Sequence, residues 1–417
     1  MKQGGKMKKI KWNETSYFIA ICTIVYFASY MTRKNYGAAM TEIIRALAVT
    51  KDEAGLVNTG LFLTYGAGQI FSGILGDHIA PRKLIFAGLI LSGGCNLLMA
   101  AMPNILMMTI LWSINGFTQS LFWPPLVRMM AENLDKENYN KACLSVSVGS
   151  SAATIAIYLI SSLCVFLSGW QLIFIVCGSF GLLVSGVWLY STKKYDNKNA
   201  PKKVESSDSK AEENNKSISI GKLIAISGMV FILIAIVLQG MLRDGLDSWM
   251  PTLIRETFDL SSSISILTGV IMPIFAIISF RVAALLFKKI HNEMTCSVVL
   301  FITGTVCSIL LLPMYSKNVF LSILLIAITT ACMHGINLIL ITWVPRYYAR
   351  YGKVATISGI MNAFTYVGSA ISTYGFGALS ERFGWYFTIL TWVVIAAVGT
   401  IMLVFNIRRW RIFAAEE

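Results

Sequence analysis

Arg33 and Arg243 each sit well inside a long apolar stretch, one in each half of the chain. A charged side chain in hydrocarbon costs about 2.5 kcal/mol or more, so such a residue faces a polar interior and marks a solute pathway. Guanidinium stays charged at any relevant pH, and its planar fork of donors matches the paired oxygens of a phosphate. The chemistry these two residues predict is anion recognition. Tyr30, one turn before Arg33, and Tyr26, a turn further back, share its face and could donate to an anion oxygen or simply pack as aromatics. Lys34 and Asn35 adjoin Arg33, but successive helical residues point about 100° apart, which turns Lys34 away from a ligand held by Arg33.

Arg243 is flanked by Asp244 and Asp247. Asp247, one turn on, could partly neutralise it, and the structural alternative makes Arg243 a partner of Asp247 alone, with Arg33 capping helix carbonyls. Asn115, Gln119 and Trp123 recur at i, i+4 and i+8, a polar stripe suited to a cavity wall. His334, with Asn337 three residues on, could take up a proton during a transport cycle or could be a packed, hydrogen-bonded histidine.

Other chemistries find little support. There is no G-x-x-x-x-G-K-S/T loop for nucleotide phosphates, and His78, His291 and His334 lack metal-ligand spacing. The eight cysteines are scattered singly without a CxxC pair and read as small apolar core residues. The expectation is a protein that is not an enzyme and needs no metal or cofactor.

The elements that position these residues follow from composition. With 417 residues, 56% hydrophobic and 13% charged, and a mean hydropathy of +0.66, the chain is far too apolar for a soluble domain. It reads as an all-α polytopic membrane protein, because spanning helices satisfy their own backbone groups. About twelve segments are expected, at 14–43, 53–76, 83–101, 104–130, 140–167, 170–191, 222–254, 262–287, 294–313, 318–344, 354–380 and 384–406. About 25 Lys and Arg then fall on the side of the amino terminus, against about 5 on the other (Arg45, Lys51, Arg255, Lys317, Arg382), which predicts that both termini are cytoplasmic in a cell (inner) membrane. The first segment is long and carries Arg33 and Lys34, unlike a cleavable signal peptide, so it is expected to stay in the mature protein. The net charge of +14 is accounted for by topology and by contact with anionic membrane lipids, and nucleic acid is not an expected partner.

Residues 192–221 have the composition of a flexible polar linker between an N-terminal bundle, 1–191, and a C-terminal bundle, 222–417. The halves echo each other: NGFTQSLFWPP from Asn115 resembles HGINLILITWVP from His334, and SGWQLIF from Ser168 resembles FGWYFTI from Phe383. Two pseudo-symmetric six-helix bundles of this kind bind solute near the midplane between them, which would set Arg33 facing Arg243. Small-residue runs such as 149–154 and 60–68 would let helices approach closely and slide.

GILGDHIAPRK, with Asp77, Arg82 and Lys83, resembles the loop motif of the major facilitator superfamily, with His78 and Ala80 as departures. An acidic residue at a helix end facing basic residues across a tight loop could latch neighbouring helices in one gating state, or the stretch could be an ordinary basic inside loop. YFASYMTRKNYGAAM (26–40), MLRDGLDSWMPTLI (241–254) and NGFTQSLFWPPLVR in the fourth segment resemble the organophosphate:phosphate antiporter family, with weaker likeness over nearly the whole chain. The resemblance implies the major facilitator fold, a monomer, and a phosphate clamp made by Arg33 and Arg243. Glycerol-phosphate members carry a lysine where this chain has Gln69 and a histidine where it has Ser151, so the site is less positive here than in those relatives. The function this implies is alternating-access exchange of an organophosphate, a small anionic solute, for inorganic phosphate. The alternatives are a proton-coupled symporter of an organic acid, using Asp244, Asp247 or His334, and a membrane sensor of sugar phosphates.

Overall fold

The computed structural model describes residues 7–195, 223, 226–351 and 354–415; within these, side chains at 7–13, 70, 73–78, 131, 136, 137, 140, 194, 349, 350 and 354–356 are outside the description. Among the described residues all regular structure is helical. The first six spans are α1 (Met7–Leu47), α2 (Lys51–His78), α3 (Pro81–Met99), α4 (Ile105–Gln119 and, after a break, Trp123–Asn133), α5 (Lys136–Leu167) and α6 (Trp170–Ser191). Then come α7 (Met229–Phe258), α8 (Ser262–Thr268 and Ile271–Ile290), α9 (Glu293–Met314) and α10 (Val319–Asn337). The stretch Val354–Ala415 forms α11 and α12, divided at Gly384. Among the described residues ten helices are long and apolar enough to cross a membrane. Division at Gly384, whose φ of 80° suits only glycine, adds one span, and α2, with 28 residues, is long enough to be another.

Polar side chains start the spans where the loops are short. Asn104, Asp135, Ser261, Asn292 and Asn318 each accept a hydrogen bond from a backbone N–H three residues on, satisfying a donor that the first turn leaves free. Large apolar side chains such as Leu106, Phe166, Leu183, Phe320 and Phe405 point outward, as a lipid-facing surface requires.

Both echoing segments contain a helix break. Span α4 interrupts between Gln119 and Trp123, just ahead of Pro124 and Pro125. Span α10 widens into a π-helix at Leu338–Trp343 and tightens into a 3-10 helix at Val344–Tyr351, around Pro345. Proline lacks an N–H and clashes with the preceding turn, so both interruptions follow from the sequence.

Between halves, α2 packs on α11, α5 on α8 and α1 on α7. These contacts gather at the face opposite the chain termini. There Thr41 and Thr252 share a 2.9 Å hydrogen bond, Ser162 donates to the Ser263 carbonyl at 2.8 Å, and Lys51 reaches Glu256 at 2.9 Å. Towards the opposite face, that of the termini, the halves stand apart around a cavity.

Candidate functional site

The cavity has a volume of about 460 Å³ and is walled by both halves. That size suits a small organic solute. The charged side chains on its wall, among the described residues, are Arg33 and Lys34 from α1 and Arg243, Asp244 and Asp247 from α7. Sequence alone could pair these in several ways, and the structure chooses one.

Arg243 makes a two-pronged contact with Asp244, Nη2 to Oδ2 at 2.7 Å and Nε to Oδ1 at 3.3 Å. Lys34 donates to Asp247 at 2.8 Å and to Asp244 at 3.5 Å, joining the two halves. Ser369 of α11 donates to Asp244 at 2.6 Å, and Tyr158 of α5 donates to the Asp247 carbonyl at 3.1 Å. Two sequence expectations are corrected here. Asp247 is the partner of Lys34 rather than of Arg243, because the neighbouring carboxylate of Asp244 already fills the guanidinium fork. Lys34 lines the cavity although it points away from Arg33, because the wall extends around α1 and a long flexible stem carries the ammonium to α7.

Arg33 is different. No carboxylate lies within ion-pair distance of it among the described residues. Its guanidinium instead rests 4.4 Å from the Tyr30 ring centroid and 5.0 Å from that of Tyr65. Aromatic faces attract a cation without neutralising it, so its donors remain available to an anion. Tyr26, Tyr30, Trp123, Ser151 and His334 also line the cavity. Tyr26 packs between Tyr30 and Trp123 with centroids 5.2 Å away in each case, and His334 meets Phe280 edge to face at 6.3 Å.

Three expected wall residues lie elsewhere. Asn115 and Gln119 turn away from the cavity into a buried knot between α1, α3 and α4. The Asn115 amide donates to the Thr32 carbonyl at 3.0 Å, and Gln119 donates to Thr32 and Ser92 hydroxyls at 3.0 and 2.8 Å. A polar residue facing a neighbouring helix in lipid must find partners, and these do so. Gln69 is likewise absent from the wall, and its side-chain nitrogen is buried with no hydrogen-bond partner among the described residues. Conversely, Ser147, Ser150 and Thr154 of α5 and Asn362 of α11 line the cavity without having been singled out. The helical spacing of Ser147, Ser151 and Thr154 was a readable signal.

Of the loop motif, the Asp77 side chain lies outside the described residues. Arg82 donates to the Leu189 carbonyl at 2.6 Å and to Thr192 at 3.1 Å, tying α3 to the end of α6 within one half. Lys83 is exposed.

Residues 22–373 match the Major Facilitator Superfamily. A probable hexose phosphate transport protein of Chlamydia trachomatis is 31% identical over 119 residues, 28% of this chain and 26% of that protein. A glycerol-3-phosphate transporter of Bacillus subtilis is 34% identical over 112 residues, 26% of this chain and 25% of that one. The membrane sensor protein UhpC of Salmonella typhimurium is 32% identical over 105 residues, 25% and 24% of the two chains. The matched stretches thus span about a quarter of these relatives' length. A bacterial homolog to the human lysosomal transporter Spinster, in an inward-facing and unoccupied conformation, superposes with a TM-score of 0.73 at 12% identity, covering 99% of this chain and 98% of that one. The nucleoside transporter NupG gives 0.70 at 13% identity, over 94% of this chain and 100% of that one. At such identities the likeness concerns the fold.

Proposed function

We propose, from the premise that this chain belongs to the Major Facilitator Superfamily, that it is a secondary transporter exchanging an organophosphate for inorganic phosphate by alternating access. The observation that carries this reading is Arg33, a half-buried guanidinium with aromatic rings beside it and, among the described residues, no carboxylate within ion-pair distance. Relatives named for hexose phosphate and glycerol 3-phosphate favour a phosphate as the anion. Arg33 is the first contact. Arg243 and Lys34 follow as the anion competes with Asp244 and Asp247 for them, which weakens the ion pair joining the halves at 2.8 Å. Tyr26, Tyr30, Ser151 and His334 complete the wall.

An empty site leaves Arg33 without a counter-ion among the described residues, and a charge enclosed unpaired is costly, whereas a bound anion supplies the missing partner. Exchange of one anion for another follows from that difference. The protein works in this reading as a monomer in the cell membrane, with both termini cytoplasmic and the cavity open to the cytoplasm. A label at Ser207 is then expected to react only from the cytoplasmic side and one at Asn104 only from the other, and reversed labelling would overturn the orientation.

The transport reading is tested with purified protein in phosphate-loaded liposomes. Labelled phosphate is expected to accumulate by counterflow, and external glycerol 3-phosphate or glucose 6-phosphate to compete. The likeness to a membrane sensor favours a second reading, binding without transport. Saturable binding of these ligands with no counterflow would select it.

A further inference from the structure

The cavity wall carries three basic side chains, Arg33, Lys34 and Arg243, against two acidic ones, Asp244 and Asp247. With His334 counted as neutral, the wall has a formal excess of one positive charge. Both carboxylates are held in place: Asp244 by Arg243, Lys34 and Ser369, and Asp247 by Lys34. Their two negative charges therefore belong to the wall beside any ligand, including one that draws Arg243 and Lys34 towards itself. The other titratable side chains facing this group are neutral phenols, Tyr26, Tyr30 and Tyr366 at the wall, with Tyr65 behind Arg33 and Tyr158 behind Asp247.

We infer that Asp244 and Asp247 set the charge of the solute, making this a site for singly charged anions in preference to doubly charged ones. The inference rests on the cavity being the solute site proposed above. When the halves close, the contents leave water, and uncompensated charge in a dry interior is expensive. A monoanion brings the enclosed set to neutrality. A dianion leaves it one negative charge over, beside the two wall carboxylates. Among phosphate compounds the solute is then the monoprotonated form of a phosphomonoester or a phosphodiester, which is a monoanion at every working pH.

The test compares two probes on the purified full chain by calorimetry. Glycerol 3-phosphate changes from mostly monoanion at about pH 5 to dianion at about pH 8, since the second ionisation of a phosphomonoester lies near 6. Its methyl diester stays a monoanion throughout. For the unmodified protein, the glycerol 3-phosphate Kd is expected to rise roughly tenfold over that range, a change of about 1.4 kcal/mol, while the diester Kd stays level. Asp247→Asn adds one net positive charge and is expected to reverse the preference. The double variant Lys34→Gln with Asp247→Asn removes the ion pair but restores the net charge, so it is expected to bring the monoanion preference back. A structural role for the pair would make the double variant behave like the single one.

Equal or tighter binding of the dianion by the unmodified protein overturns the inference, as does an unchanged preference in Asp247→Asn. If neither phosphate probe binds, the organophosphate reading has failed, and the charge rule is then read from lactate against succinate at about pH 8. Tighter succinate binding overturns it, and failure of all four probes overturns both.

Discussion

Arg33→Lys is expected to weaken phosphate binding by roughly thirty- to a hundred-and-fiftyfold, the loss of a charge-assisted hydrogen bond of about 2 to 3 kcal/mol. Net charge is kept, so the effect isolates geometry. A guanidinium presents two parallel donors to one phosphate, and its flat face stacks on Tyr30 at 4.4 Å and Tyr65 at 5.0 Å, which holds the fork aimed into the cavity. An ammonium offers one point charge and stacks less well. Arg243→Lys is expected to cost less, because part of the Arg243 fork is already spent on Asp244. Calorimetry on both variants, with phosphate counterflow in liposomes, measures the contrast. Near wild-type exchange with lysine at position 33 would sink the arginine clamp and most of the case for a phosphate carrier.

Much of this architecture was open to reading because lipid imposes a blunt rule. Each span must be long, apolar and helical, so hydropathy alone located the segments, and the echo between NGFTQSLFWPP and HGINLILITWVP pointed to two related halves. The placement of Arg33 and Arg243 on one cavity followed from the cost of charge in hydrocarbon.

What stayed hidden was partner choice. Periodicity shows that Asn115 and Gln119 share a stripe on one helix, but not whether the stripe faces water or another helix; Thr32 and Ser92, close to α4 only in the fold, decided it. Lys34 was misjudged for a related reason. Rotation along α1 fixes where its Cα–Cβ bond points, while its four-carbon stem and the position of Asp247 on α7 fix where its charge ends up. Pairings between residues some two hundred positions apart depend on how the halves dock.

That dependence on docking makes Gly55→Ala the more revealing experiment. A Cβ at Gly55 would lie 2.2 Å from the Thr373 carbonyl oxygen and 3.2 Å from the Tyr374 Cα, so α2 and α11 touch backbone to backbone there. The contact is repeated nearby, where a Cβ at Gly377 would lie 2.6 Å from the Lys51 carbonyl oxygen. Thr59 adds hydrogen bonds of 2.9 Å to the Ala370 carbonyl and 3.0 Å to Thr373. Backbone atoms cannot rotate aside as a side chain can, and overpacking of this kind costs about 1 to 3 kcal/mol. Because the clash lies between the halves, relief comes from separating them at this face, with each half left intact. The conformational equilibrium should therefore move by roughly five- to a hundred-and-fiftyfold towards the state open on the face opposite the termini. Thr252, buried at 1% exposure and bonded to Thr41 across the same face, reports this when changed to cysteine. Its reaction with a membrane-impermeant maleimide supplied from that side is expected to speed up by about tenfold or more in the Gly55→Ala background. Gly116→Ala is the control, since its Cβ would meet the Leu61 carbonyl oxygen at 2.4 Å inside one half; there the expected result is a lower melting temperature with Thr252→Cys still protected. Should Gly55→Ala behave as Gly116→Ala does, losing stability while the cysteine stays protected, the closed face would be a fixed part of the fold and not a gate.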